Sequence, residues 1–235
     1  MKNEKIYNNN MAQVKSTDKA AARQENIQQT VSKTEQFYNE NKKTLWGALI
    51  AVVVVILAVL AYNKFIYAPK CAEAMQQCYP AEMNFQAGEY ELALNGDGNV
   101  LGFADIIDNY GTKAGKSVYL AAGACEYQLG NFEQAIEYLK KYNVKDPILG
   151  ARALSCMGDA YVGLENYEEA VKCFNAAADK SDNIYAAAYL QKAGVAYEAL
   201  GKKAEALKCY KTISDKYPQS IEAYDIDKYI SRVEE

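Results

Sequence analysis

Histidine does not occur anywhere in the 235 residues, and only four prolines and one tryptophan do. Without histidine the commonest general base is missing, and so are Ser–His and Cys–His nucleophile pairs and imidazole metal sites. Nor is there an excess of basic charge: 26 Lys and Arg stand against 30 Asp and Glu, with no basic stripe, which argues against a nucleic-acid partner. No Cys-x-x-Cys occurs among the six cysteines, so a thiol redox motif is lacking. The chain is thus expected not to be an enzyme, to need no cofactor or metal, and to take no small-molecule substrate. Few prolines and a half-apolar composition favour helix.

Charge is also missing from one long run. From Leu45 to Tyr62 there is no charged residue, amide or proline, and continued to Tyr67 the run is long enough as a helix to cross roughly 30 Å of hydrocarbon. A single segment in lipid must satisfy its own backbone, which only a helix does. Lys42 and Lys43 stop the run on one side and Lys64 on the other, while Trp46, Tyr62 and Tyr67 suit the two interfaces. A buried core helix and a cleaved signal peptide are the competing readings; Val59-Leu60-Ala61 is a passable cleavage site, but some forty-four polar residues precede the run. One transmembrane helix over 44–67, in contact with the lipid bilayer, is expected. Residues 1–44 carry eight Lys and Arg against five Asp and Glu, whereas 63–235 carry eighteen against twenty-five. Positive charge stays inside, so a cytoplasmic N-terminus is expected, with the large domain on the far side. Close to the run the contrast is thinner, with Lys33, Lys42 and Lys43 facing Lys64 and Lys70.

All six cysteines lie beyond the run. Cys71 and Cys78 are about 10 Å apart along a helix, too far to bridge, and the remaining spacings have no framework pattern. Free, packed thiols are expected.

Residues 1–43 read as a tail, without apolar periodicity to about position 25 and helical from about Asn26, where Ile27, Val31, Phe37 and Tyr38 fall near helical spacing. Beyond 67 the chain repeats itself at a period near 35. One unit reads Tyr119-Leu120-Ala121-Ala122-Gly123, then Glu126, Gly130, Ala135 and Leu139. The next has Gly158, Tyr161, Glu165, Ala170 and Phe174, and the third Gly194, Tyr197, Gly201, Ala206 and Tyr210. Two antiparallel helices approach closely only where a small residue removes bulk, and the turn between them favours a residue able to take positive φ. No single helical pair buries its own apolar face, so the units must stack.

This pattern resembles the tetratricopeptide repeat. The resemblance assigns the small crossing residue to Gly123, Gly158 and Gly194, the turn glycine to Gly130 and Gly201 with Glu165 departing, and the second-helix alanine to Ala135, Ala170 and Ala206. The aromatic ending the first helix is present as Tyr161 and Tyr197 but is Glu126 in the first unit. A weaker copy, Phe85 to Leu94, precedes them, followed by a turn at Asn95–Asn99 and a short helix from Phe103 to Tyr110; Pro80 is expected to kink or delay its first helix. The expected fold is all-α: one transmembrane helix, then an α-solenoid over 68–235 of about four hairpins near 74–96, 117–147, 151–182 and 187–218. A final helix over 220–234 caps the stack.

Two segments imitate ligand sites. Gly111 to Ser117 looks like a phosphate loop but has three residues rather than four between its glycines. Asn95, Asp97 and Asn99 alternate like calcium ligands, yet Val100 and Ile106 stand where the glycine and glutamate belong. Both read as turns. By the repeat alignment Leu120, Ala124, Ser155, Asp159, Gln191 and Val195 face the inner groove. Arg152 is its one expected base, too little for the carboxylate clamp of some cytosolic relatives. Leu120, Tyr127, Arg152, Asp159, Val162, Gln191, Val195 and Glu198 are the candidate partner-binding residues, lining a groove expected to be mildly apolar and slightly acidic.

The order of parts, with Thr34 to Lys43 entering one anchor before a small repeat domain, is similar to bacterial inner-membrane proteins of the YfgM type, ancillary subunits of the Sec translocon. That resemblance implies a periplasmic scaffold whose partners are translocon subunits, periplasmic chaperones or nascent secreted chains. The alternative keeps the module but reverses it, as a membrane-bound receptor or adaptor with its domain in the cytosol.

Overall fold

In the computed structural model, which describes residues 35–234, every regular element among those residues is a helix. The expected tail over positions 1–25 and the start of its helix near Asn26 lie outside the described residues. The chain divides into two units at Lys64 and Phe65.

The described part of the first unit is helical, with α1 over residues 35–62. Its valines, leucines and isoleucines are exposed, and the helix spanning Glu35–Gln86 contains a window of mean hydropathy 2.8, none of it buried. That helix is long and apolar enough to cross a membrane. A π-helical segment occupies Asn63–Tyr67.

The second unit begins with α2 (Ala68–Gln86), which carries Pro69 in its first turn, where a missing N–H costs nothing. It runs on through Pro80, so the late start expected there is not found. Ala74, Cys78 and Ala81, at helical spacing, bury α2 against α3 (Tyr90–Asn95) and α4 (Phe103–Tyr110). Between α3 and α4 the Asp97 carboxylate accepts from the backbone N–H groups of Asn99 at 2.8 Å and Val100 at 2.9 Å. That loop is therefore a turn closed by its own aspartate. The glycine-rich segment after α4 is a 3₁₀ turn over Gly111–Ala114, and Lys116 donates to the Asn143 carbonyl at 2.8 Å.

Three hairpins follow: α5 (Ser117–Gln128) with α6 (Phe132–Lys141), α7 (Pro147–Gly163) with α8 (Tyr167–Ser181), and α9 (Ala186–Ala199) with α10 (Lys203–Lys216). In each, a glycine meets the large residue sixteen positions later: a Cβ at Gly123, Gly158 or Gly194 would come within 2.7, 2.6 or 2.3 Å of Leu139, Phe174 or Tyr210. That pairing is the physical content of the repeat, a bare backbone on one helix against a buried side chain on the next. The turns take left-handed backbone at Gly88 (φ 82°), Gly130 (φ 83°) and Gly201 (φ 70°), and at Glu165 (φ 57°), where the sequence departs from glycine. Side-chain caps start several helices. The Asp146 carboxylate accepts from Ile148 and Leu149, Asn166 Oδ1 accepts from Glu169, and Ser220 Oγ accepts from Ala223. Glu126, the other departure, is 8 % exposed and accepts from Asn131 Nδ2 at 2.8 Å, so a polar pair replaces the aromatic.

The stack ends with α11 (Ile221–Tyr224) and α12 (Ile226–Glu234). α12 presses Ile226 and Val233 onto Tyr210 and Ile213 of α10. It is locked by Arg232, whose Nε and Nη2 donate to Glu198 at 2.8 and 2.6 Å.

Candidate functional site

The first helices of the three hairpins line one groove of about 800 Å³. Helix α5 contributes Leu120, Ala124 and Tyr127, which follow each other at one helical turn because the opposite face, Ala122, Cys125 and Gly123, is buried against neighbours. From α7 come Ile148, Leu149, Arg152, Ser155, Cys156 and Asp159. α9 adds Tyr189 and Lys192, with Tyr185 at its start, and Phe85 and Tyr90 close the far end. Apolar side chains thus form the rim, while charge is confined to Arg152, Asp159 and Lys192.

Lys192 Nζ donates to Asp159 Oδ2 at 2.6 Å and to Ser155 Oγ at 3.3 Å. Burial pushes the Asp159 carboxyl above its usual range, and the Lys192 ammonium pulls it part of the way back. Arg152 is exposed and has no hydrogen-bond or ion-pair partner among the described residues. It stands close enough to Tyr189, across on α9, to offset part of the rise that burial gives that phenol. Tyr127 is raised by burial and by Asp159. Cys156 is pushed up to about 11, by burial first and then by Asp159, so it is a protonated thiol at neutral pH. The same holds away from the groove: burial takes Cys125 to about 12, and Cys173 and Cys209 to about 11. All six cysteines are free. Among the described residues no cluster of three His, Cys, Asp or Glu side chains is placed to hold a metal. The groove's one cysteine is thus not an activated nucleophile.

Of the eight candidate residues, Leu120, Tyr127, Arg152 and Asp159 come together in this groove. Val162, Gln191, Val195 and Glu198 do not line it. Val162 and Val195 are exposed elsewhere, and Glu198 is occupied by Arg232 and by the Tyr210 hydroxyl. The expected α9 face, Gln191, Val195 and Glu198, is displaced by one residue from the face found, Tyr185, Tyr189 and Lys192. One residue is a rotation of about 100° on a helix. The expectation of a slightly acidic groove with one base is corrected accordingly: Lys192 also lines it, and the lining charges leave a balance near +1. Lys192 is the one lysine of α9, set among Ala, Gly and Tyr, and that isolation was the signal available in the sequence.

Stacked helical hairpins crossing at small residues, with a groove formed by their first helices, define a tetratricopeptide-like solenoid. Two tetratricopeptide repeat family models match the chain, over residues 117–147 and 157–221. They take in α5 with α6, and the second half of α7 through α10. A solved structure described as the MamA protein superposes with a TM-score of 0.50 at 20 % identity, covering 70 % of this chain and 86 % of that one. A second MamA structure gives a TM-score of 0.49 at 20 % identity over 65 % of this chain and 91 % of the other. At such identity the likeness to the first concerns the fold. No curated protein sequence matches the chain. Tetratricopeptide repeats are protein–protein interaction scaffolds, and the domain is read as one.

Proposed function

We propose that the protein is a non-enzymatic scaffold, tethered to a bacterial inner membrane by residues 44–67, whose repeat domain works in the periplasm on partners of the Sec translocon. The observation that carries the scaffold reading is the open groove across α5, α7 and α9, walled by apolar side chains and free of activated nucleophiles. The tether rests on the apolar helix, and the direction on the charge difference between the segments flanking it. The resemblance to YfgM-type proteins supplies the partner class: translocon subunits, periplasmic chaperones or emerging secreted chains. Tethering would raise the domain's effective concentration beside such partners, so individual contacts can be weak.

Photo-crosslinking in cells from Leu120 tests this, with Gln191 as a position outside the groove. Adducts from Leu120 to translocon components, periplasmic chaperones or secreted chains are expected. No protein adduct from Leu120 or Tyr127 removes the scaffold reading, and adducts to cytosolic proteins alone remove the periplasmic one. Six free thiols favour a second reading, the same module facing the cytosol, where thiols stay reduced. Labelling Cys71 in intact and permeabilised cells separates the two.

A further inference from the structure

We infer that the groove receives an internal segment of a partner chain in which apolar side chains flank a carboxylate, with Arg152 as the anion's anchor. The inference rests on the scaffold reading above and narrows it to a partner chemistry.

Three features of the groove converge. Its rim is apolar and partly open to water: Ile148 is 51 % exposed, Leu149 44 % and Tyr185 57 %, with Leu120 half-buried between α5 and α7. Large side chains left exposed on a concave rim are unpaired hydrophobic surface, and a partner's apolar side chains would cover them. The charges beneath are unequal in status. Asp159 is held by Lys192 at 2.6 Å, so the lining's one carboxylate is already neutralised and Lys192 is committed to it. Arg152 is exposed and has no hydrogen-bond or ion-pair partner among the described residues, so its five donors are open to a ligand. A carboxylate on the partner would therefore meet a free guanidinium, whereas an ammonium would meet a free guanidinium and an already paired aspartate. Charge complementarity selects the anion.

The groove's form selects an internal segment over a chain end. It runs from Phe85 and Tyr90 at one side, past α5 and α7, to Tyr185 and Lys192 at the other. Helices pack about 8–10 Å apart, so crossing from α5 to α9 takes about 20 Å, or about six extended residues. A clamp for a chain terminus gathers several free cations at one closed point; here one free guanidinium sits midway along an open channel.

The test uses the full-length chain in lipid nanodiscs and three fluorescein-labelled peptides, read by anisotropy. The first is capped at both ends and carries Leu-Phe-Asp-Leu-Phe. In the second lysine replaces the aspartate. In the third asparagine replaces it and the C-terminus is left as a free carboxylate. The capped aspartate peptide is expected to bind about tenfold more tightly than either of the others. Arg152→Glu is expected to invert the preference in favour of lysine, and Arg152→Gln to flatten it. Because Arg152 is exposed and has no bonded partner among the described residues, the helical content and melting of both variants should match the wild type; if Arg152→Glu misfolds, Arg152→Gln alone decides. Equal binding of the capped peptides, tightest binding of the free-carboxylate peptide, or a preference insensitive to Arg152 overturns the inference. If Leu120 crosslinks to partners while the peptides show no preference, only the carboxylate anchor falls. If Leu120 crosslinks to nothing, the scaffold reading falls with it.

Discussion

A Cβ built at Gly194 would stand 2.3 Å from Cε1 of Tyr210, a ring that is fully buried and whose hydroxyl is held by Glu198. At Gly123 the corresponding neighbours are Cγ and Cδ2 of Leu139 at 2.7 and 3.0 Å, a side chain buried in its own cluster, and the Ala135 carbonyl oxygen at 3.2 Å. Alanine in a helix gains about 1 kcal/mol over glycine, while overpacking a tight core costs about 1–3 kcal/mol. Gly194→Ala and Gly123→Ala are therefore both expected to destabilise the domain, by up to about 2 kcal/mol each, measured as shifts of the urea midpoint. The turn at Glu165 gives the opposite sign. Its φ of 57° is costly for a side-chain-bearing residue, by about 1–2 kcal/mol, and glycine's greater freedom in the unfolded chain returns only part of that. Glu165→Gly is expected to raise stability by about 0.5–1 kcal/mol in the same measurement.

Among the helices, α12 is held by a polar clasp as well as by packing. Glu198 on α9 accepts from Arg232 on α12 and from Tyr210 on α10, so one carboxylate joins three elements. Burial would raise the Glu198 pKa, but the hydrogen bonds from Arg232 and Tyr210 outweigh it and hold the carboxyl below its usual range. A carboxyl lowered on folding adds stability above its unfolded pKa, and that stability is lost as pH falls through the lower folded value. The difference in Tm between wild type and Glu198→Gln is thus expected to be present at pH 7 and to shrink below the ordinary glutamate range, about pH 4. Arg232→Ala is expected to cost about 1–2 kcal/mol at neutral pH, Arg232 being half exposed. This clasp was illegible in the repeat pattern. The period places Glu198 on a helix face, but its partner lies in the cap, outside any repeat, and nothing local to either residue announces the pair. The hairpins were legible because the Gly–large pairing and the turn residues recur at one spacing. The α9 side of the groove was not, because a repeat alignment good to one residue still leaves the helix face uncertain by about 100°. Lys192 and Gln191 differ by that one step.

At the scale of the whole chain, the second unit holds its own buried clusters, from Ala74 and Phe103 through Leu139 and Phe174 to Tyr210 and Val233. Each cluster is closed by residues from Phe65 onward, the second unit. A chain beginning at Phe65 is therefore expected to unfold cooperatively and to remain in solution, by circular dichroism and size-exclusion chromatography. The far end sets a stricter requirement, since a solenoid's last repeat needs a cover for its apolar face. α12 supplies that cover: Ile226 and Val233 are 2 % and 6 % exposed, against Ile213 and Tyr210, each 0 %. α11 does not, because Ile221 and Tyr224 are 90 % and 92 % exposed. Losing the burial of two aliphatic side chains is worth about 3–6 kcal/mol at about 1.5–3 kcal/mol per side chain, and α10 is uncovered as well. For a domain of this size that lowers Tm by about 10 °C. Ending the chain at Tyr217 is accordingly expected to show that loss, together with oligomers on the column, whereas serine at both Ile221 and Tyr224 leaves Tm within about 2 °C of wild type. Equal losses in the two would move the cap from α12 to α11, and no loss in the truncation would make α10 its own terminus.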